Sequence, residues 1–180
     1  MTDSRHIRNI ALCGFMGTGK SSAGRLVAQT LHFDFLDTDT VVEARAGKSI
    51  SEIFSQQGEP AFRELETKIA HELSSRRHTV IATGGGFVVS PENMASLKEH
   101  ALVVCLWASP ETIWARVKMQ SHRPLLQDPD PLEKIRALLA TRAPFYKQAD
   151  VLLNTELRST RDVAQQVLHQ FRIASSASSH

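Results

Sequence analysis

The chain has only two cysteines in 180 residues, Cys13 and Cys105, too few to staple a secreted scaffold and in keeping with a reducing compartment. Each sits inside an apolar run, "IALC" and "ALVVCLW", where it reads as a buried small hydrophobe. No charge of one sign prevails: 21 Lys and Arg stand against 19 Asp and Glu. That balance excludes a protein held to nucleic acid or to a membrane surface by bulk charge, though a locally basic pocket stays open. Apolar runs of membrane-spanning length are missing, and the N-terminal "MTDSRHIRN" lacks a signal-peptide core, so a cytoplasmic protein is expected. The eight histidines show neither HxxxH nor Cys/His ligand spacing, so no histidine metal site is expected.

What is present is a regular alternation. "IALC" (10–13), "FDFLD" (33–37), "TVIAT" (79–83), "ALVVCLW" (101–107) and "DVLLN" (150–154) are short, aliphatic and bounded by Gly, Asp or Ser, as strands are. Helical patterns lie between them. In one, Phe62, Leu65, Ile69 and Leu73 fall on a single face. Ser90 and Ser109 each precede a proline, the pattern of a serine cap with proline in the first turn. Near-continuous apolar strands alternating with helices imply a parallel sheet covered on both faces. One domain over 1–172 is expected, with 173–180, ending "SSASSH", as a frayed tail. Ligands of such sheets sit beyond the carboxyl ends of the strands, and three of the five ends here carry groups capable of chemistry.

The first strand runs into "GFMGTGKSSAG" (14–24), which fits GxxxxGK[ST] in the strand-loop-helix setting that motif requires. Glycines let successive backbone N–H groups turn inward onto phosphate oxygens, and the following helix N-terminus adds partial positive charge. Gly14, Gly17, Thr18, Gly19, Lys20, Ser21 and Ser22 form the expected nucleotide-binding set. Lys20 would reach the β- and γ-phosphates, and Ser21 would offer its hydroxyl to Mg²⁺. A glycine-rich turn arising by chance at this spacing is rare at ordinary glycine usage. No NKxD-like run marks a guanine switch, and no apolar strand ends in Asp-Glu as in motor ATPases.

The second strand ends in Asp37, with Asp39 two residues on. Two carboxylates beside a γ-phosphate site suit a division of labour, one organising Mg²⁺ through water and the other accepting a hydrogen bond from the hydroxyl to be phosphorylated. Asp39 has a second reading, as the N-cap of "TVVEARAG". Arg63 flanks the apolar stripe of its helix, with Glu66 placed to hold it, and Arg142 lies on the inward side of another helix, at i+4 from Leu138. An inward guanidinium needs an anion, either a protein carboxylate or a bound acid. "TGGGF" (83–87) supplies bare backbone a ring could approach, which favours the acid. The segment 120–131, "QSHRPLLQDPDP", reads either as a lid that delivers Arg123 on closure or as a solvated loop.

Taken in order, "GFMGTGKSSAG", "FLDTDTVVE", "GKSISEIFSQQGEPAFRELE", "ATGGG", "RPLL" and "TRAPFY" resemble the shikimate kinase family over roughly residues 10–147. The resemblance implies a P-loop, nucleoside-monophosphate-kinase-like three-layer α/β sandwich, with a five-stranded parallel sheet in order 2-3-1-4-5 and a mobile lid. It implies ATP-dependent phosphorylation of the shikimate 3-hydroxyl, with Mg²⁺ as cofactor, by a monomer or weak dimer. By the family pattern Lys20, Asp39 and Arg123 are catalytic, Ser21 and Asp37 serve the metal, and Arg116 packs against adenine. Asp39, Arg63, Arg142 and Gly84, Gly85 and Gly86 would embrace the acid. A related kinase acting on gluconate or a cyclitol is the alternative. Phe87, where the family usually has a small residue, is expected to fill core space, with the pocket as the other possibility.

Overall fold

The computed structural model describes residues 5–119 and 128–177. Strands β1 (Asn9–Cys13), β2 (Asp34–Asp37), β3 (Thr79–Ala82), β4 (Ala101–Trp107) and β5 (Val151–Asn154) form one parallel sheet in the order β2-β3-β1-β4-β5. The helices are α1 (Lys20–Leu31), α2 (Thr38–Ala46), α3 (Ile50–Leu73), α4 (Pro91–His100), α5 (Pro110–Val117), α6 (Pro131–Tyr146) and α7 (Thr160–Ala177), with a 3₁₀ turn at Phe87–Val89. None of the described helices is long and apolar enough to cross a membrane.

Successive residues of a strand face opposite sides of the sheet, so a strand covered on both sides must be apolar throughout. In β1 Ala11 and Cys13 enter one apolar cluster, and Ile10 and Leu12 enter the other. The first cluster joins the sheet to α3, α4 and α6, through Ile69, Leu97 and Ile135. The second joins it to α1 and α7, through Val27 and Val167. Cys13 and Cys105 are free, buried and direct register partners on β1 and β4. β1 is central and its neighbours are reached by crossovers in both directions, which opens a crevice at its carboxyl end.

Local chemistry sets the helix boundaries. Ser90 and Ser109 accept from the backbone N–H groups of Asn93 and Thr112, each with a proline in the first turn, as the sequence predicts. Ser49 and Glu52 close a reciprocal capping box at the start of α3. The sequence suggests two helices over 49–76, and the structure runs them together across a kink at Gly58, whose φ of 83° lies in the left-handed region. Pro60, which lacks an N–H to donate, then falls in the opening turn of the second half. At the far end α7 continues to Ala177, so residues 173–177 of the expected tail are helical, and 178–180 lie outside the described residues. Phe87 is fully buried in the core, which settles its two readings in favour of packing.

Under the sheet, at the opposite end from the crevice, His100 is 2% exposed. Asn9 Nδ2 lies 2.9 Å from its Nδ1 and donates at 2.8 Å to the carbonyl of Arg76, while His100 Nε2 has no partner among the described residues. Burial, reinforced by the charges of Arg8 and Arg5, pushes the imidazole down to about 4. The unfolded chain therefore takes up a proton near pH 6.5 that the folded chain refuses until about pH 4. Stability is complete above that window and falls as pH drops through it, by about 3 kcal/mol at most. Urea midpoints between pH 7 and 4 should fall more steeply for the natural protein than for His100→Asn, and parallel curves would refute this origin.

Candidate active site

The carboxyl ends of β1, β2 and β3 open onto a cleft of about 690 Å³. Its walls include Gly17, Gly19, Lys20, Ser21, Ser22, Asp37, Asp39, Arg63, Gly84, Gly85, Gly86, Arg116 and Arg142, so distant segments of the sequence converge. Gly14 and Thr18 are buried and do not line it. Gly14 has φ +129°, and a Cβ there would strike the carbonyl of Leu106 on β4, so the loop can leave the sheet here only as glycine. Thr18 Oγ1 donates to the Phe15 carbonyl at 2.8 Å, which spends its proton on holding the loop. Lys20 Nζ donates to the carbonyls of Gly14 and Phe15 at 2.8 and 2.9 Å, bracing the loop it must serve. A smaller cavity of about 220 Å³, lined by Thr18, Arg116, Thr155 and Arg158, adjoins it. Arg116 is fixed there by bonds to the Gly17 carbonyl and to Thr155 Oγ1 and carbonyl, at 3.2, 2.9 and 2.9 Å.

At the start of α2, Asp37 is the cap, accepting from the backbone N–H of Asp39 at 3.1 Å. The cap reading of Asp39 therefore belongs to Asp37. The other oxygen of Asp37 accepts from Ser21 Oγ at 2.8 Å, which joins the P-loop hydroxyl to the carboxylate paired with it from sequence. Side chains one residue apart on a helix point about 100° apart. Asp37, still extended at the end of β2, faces Ser21, while in the first turn of α2 Thr38 turns inward to the glycine run and Asp39 lines the cleft.

Bare backbone at 84–86 serves the protein's own side chains. A Cβ on Gly84 would lie 2.5 Å from Asp39 Oδ1, one on Gly85 3.4 Å from an Arg142 nitrogen, and one on Gly86 2.5 Å from an Arg63 nitrogen. Each glycine thus seats one charged side chain of the site against the main chain. The expectation that the run merely clears space for a ring is refined accordingly.

The two arginines part company. Arg63 is held by Glu66 at 2.6 Å and by Glu59 at 2.9 Å, the protein-carboxylate case. Its burial opposes the charge, and Glu66 then Glu59 restore it, leaving the guanidinium more firmly protonated than usual. Glu66 is 1% exposed, and burial pushes its carboxyl up against the opposing pull of Arg63. Its Oε1 has no hydrogen-bond partner among the described residues and lies 3.2 Å from where a Gly84 Cβ would be. Arg142 lies on α6 over the ring of Phe15, 5.4 Å from its centroid. Among the described residues no carboxylate lies within ion-pair distance of it, although its charge opposes the upward push of burial on Glu66, and it lines the cleft as a cation.

Arg123 lies outside the described residues, as do 120–127, most of the expected lid. Asp130 caps α6 through the Glu133 N–H, so the last of the expected lid residues begin that helix. Sequence reasoning did not single out Thr38, Glu66 Oε1 or Tyr146. Thr38 Oγ1 accepts from the Gly84 N–H at 2.9 Å, and the Tyr146 hydroxyl donates to the Gly85 carbonyl at 2.6 Å. The signals were there, a threonine between two aspartates and the chain's single tyrosine.

A family model described as shikimate kinase matches residues 16–172. A shikimate kinase of Thermodesulfovibrio yellowstonii is 45% identical over 165 residues, covering 92% of this chain and 95% of its own. Among solved structures, a shikimate kinase from Acinetobacter baumannii in complex with shikimate superposes with a TM-score of 0.88 at 38% identity, covering 94% of this chain and 95% of that one. A gluconokinase from Sinorhizobium meliloti, at 16% identity and a TM-score of 0.63, shares the fold alone. With the matched region spanning nearly the whole domain, the chain belongs to the shikimate kinase family.

Proposed function

We propose that this chain transfers the γ-phosphoryl group of ATP to the 3-hydroxyl of shikimate, a step on the route to chorismate and the aromatic amino acids. The observation that carries the choice of acceptor is Arg142, a cleft-facing cation over Phe15 without a protein carboxylate as partner among the described residues. A small organic acid supplies the missing anion, and a guanidinium binds carboxylate by two parallel hydrogen bonds. Arg63, already balanced by Glu59 and Glu66, adds hydrogen bonds more than net charge, while Glu66 Oε1 offers an acceptor for a ring hydroxyl. Neutral cyclitols leave Arg142 unmatched, which disfavours the cyclitol half of the alternative; gluconate is itself an acid, and what disfavours it is the match to shikimate kinases.

Phosphoryl transfer needs little covalent help from a protein, and alignment with charge stabilisation dominates. The P-loop amides and Lys20 grip the phosphates, and Arg116 and the adjoining cavity receive the base. Asp39, seated on Gly84, accepts the hydrogen bond of the attacking hydroxyl and takes its proton as the new P–O bond forms and the bond from the γ-phosphorus to the β–γ bridging oxygen breaks, the electron pair leaving with ADP. Lys20 spreads the charge of the transferring oxygens, and Arg123, outside the described residues, is the second cation proposed for that charge. Ser21 Oγ and Asp37 Oδ2, hard oxygen donors 2.8 Å apart, fit Mg²⁺ and are the groups that would hold it. When bound, Mg²⁺ would neutralise phosphate charge.

Acceptor-stimulated ADP release tests the reading. Shikimate should stimulate it strongly, gluconate and neutral cyclitols hardly, and equal stimulation by a neutral cyclitol would overturn the assignment. Arg142→Ala should raise KM for shikimate about 10- to 100-fold, the worth of a charge-assisted hydrogen bond or two, and leave KM for ATP within about twofold. Equal loss for both substrates would remove Arg142 from the acid site.

A further inference from the structure

Beyond the charged residues, two uncharged side chains tie the walls of the cleft together. Gly84 N–H donates to Thr38 Oγ1, and Tyr146 donates to the Gly85 carbonyl. The two bonds reach adjacent glycines from opposite sides, one from the first turn of α2 and one from the last turn of α6. Each comes from the helix that carries a charged residue resting on that same glycine. Thr38 directly precedes Asp39, which rests against Gly84, and Tyr146 lies one turn beyond Arg142, which rests against Gly85. Thr38 is fully buried and Tyr146 is 6% exposed, so neither bond competes with bulk water.

We propose that Thr38 and Tyr146 are positioning residues, a clamp that sets Asp39 and Arg142 in register with each other across the glycine run. Glycine at 84–86 is needed for the close approach of the charged groups, yet glycine is also the most conformationally free residue. Without side chains of its own, the run can be fixed only through its N–H and C=O groups, and these two bonds use one of each. The Tyr146 phenol also lies near the Arg142 guanidinium, whose charge and hydrogen bonding oppose the strong upward push of burial on the hydroxyl. A small shift of the run would move the hydroxyl acceptor and the acid anchor relative to the P-loop, and sub-ångström errors in alignment are costly in transfer reactions.

The inference rests on the shikimate kinase reading, and its test separates the two. Steady-state kinetics on the full chain compare Tyr146→Phe, Thr38→Val and Thr38→Ser, with thermal unfolding measured in parallel. Tyr146→Phe should raise KM for shikimate about tenfold, the effect of one lost buried hydrogen bond, with kcat and KM for ATP within about threefold. In an Arg142→Ala background the same change should add almost nothing, because the residue it positions is gone. Thr38→Val should lower kcat about tenfold, and Thr38→Ser should restore it. Variants that melt earlier while keeping natural kcat and KM would reduce both residues to structural supports and overturn the proposal. Full additivity of Tyr146→Phe with Arg142→Ala would do the same for the Tyr146 half. Should Tyr146→Phe fold poorly, the Thr38 Val-to-Ser contrast decides. A natural chain that ignores shikimate would sink the functional reading and this inference with it.

Discussion

Lys20→Met is expected to lower turnover by a factor of about 10³ while the protein melts within a few degrees of the natural chain. Loss of one group that stabilises developing charge in a closed site costs about 10²–10³ in rate, and Lys20 is proposed as a phosphate anchor as well. Methionine keeps the apolar stem and removes the ammonium with its bonds to the Gly14 and Phe15 carbonyls. Those carbonyls belong to a loop already fixed by Gly14 against β4 and by Thr18 Oγ1, so the fold should survive. ADP release with shikimate, alongside a thermal melt, reads both quantities. Full activity in the variant would contradict the assigned role, and collapse of the fold would show that the ammonium is chiefly a structural brace.

Gly84→Ala should cost about 10²-fold in kcat with a small change in stability, while Gly85→Ala should cost far less. The difference is one of space. The new methyl at 84 would sit 2.5 Å from Asp39 Oδ1, and that carboxylate can yield by rotating away. The backbone is spared, but Asp39, the proposed hydroxyl acceptor, leaves its station, and an ångström of misplacement is worth about two orders of magnitude. At 85 the nearest atom is an Arg142 nitrogen at 3.4 Å, which flexes at little cost. Comparing kcat of the two variants at saturating shikimate checks this. Equal and mild effects at both positions would mean that Asp39 is not held against the run.

Much of this was legible in the sequence because the signals are local. A strand covered on both faces must be apolar along its length, so the five runs announced themselves to within a residue or so. The P-loop spacing fixed Lys20 and Ser21, and the aspartate at the end of β2 fixed Asp37. What stayed hidden depends on contacts between distant segments. Whether Arg63 met a protein carboxylate could be framed from its spacing to Glu66, but not that Glu59 would join from the preceding turn while Arg142 went unmatched. The second reading of Asp39, as a helix cap, falls on Asp37 instead, since both are equally good caps and only the register of β2 decides between them. Uncharged groups were the least visible. Thr38 and Tyr146 matter through single hydrogen bonds to backbone, which no spacing rule foretells.

The central claim is that Arg142 selects the acceptor by its carboxylate. Calorimetric titration of the natural protein and of Arg142→Ala with shikimate and with its neutral carboxamide tests it most directly. The carboxamide should bind the natural protein at least about tenfold more weakly than the acid, and the two ligands should bind Arg142→Ala with the same low affinity. A carboxamide that binds the natural protein as tightly as shikimate would contradict the account.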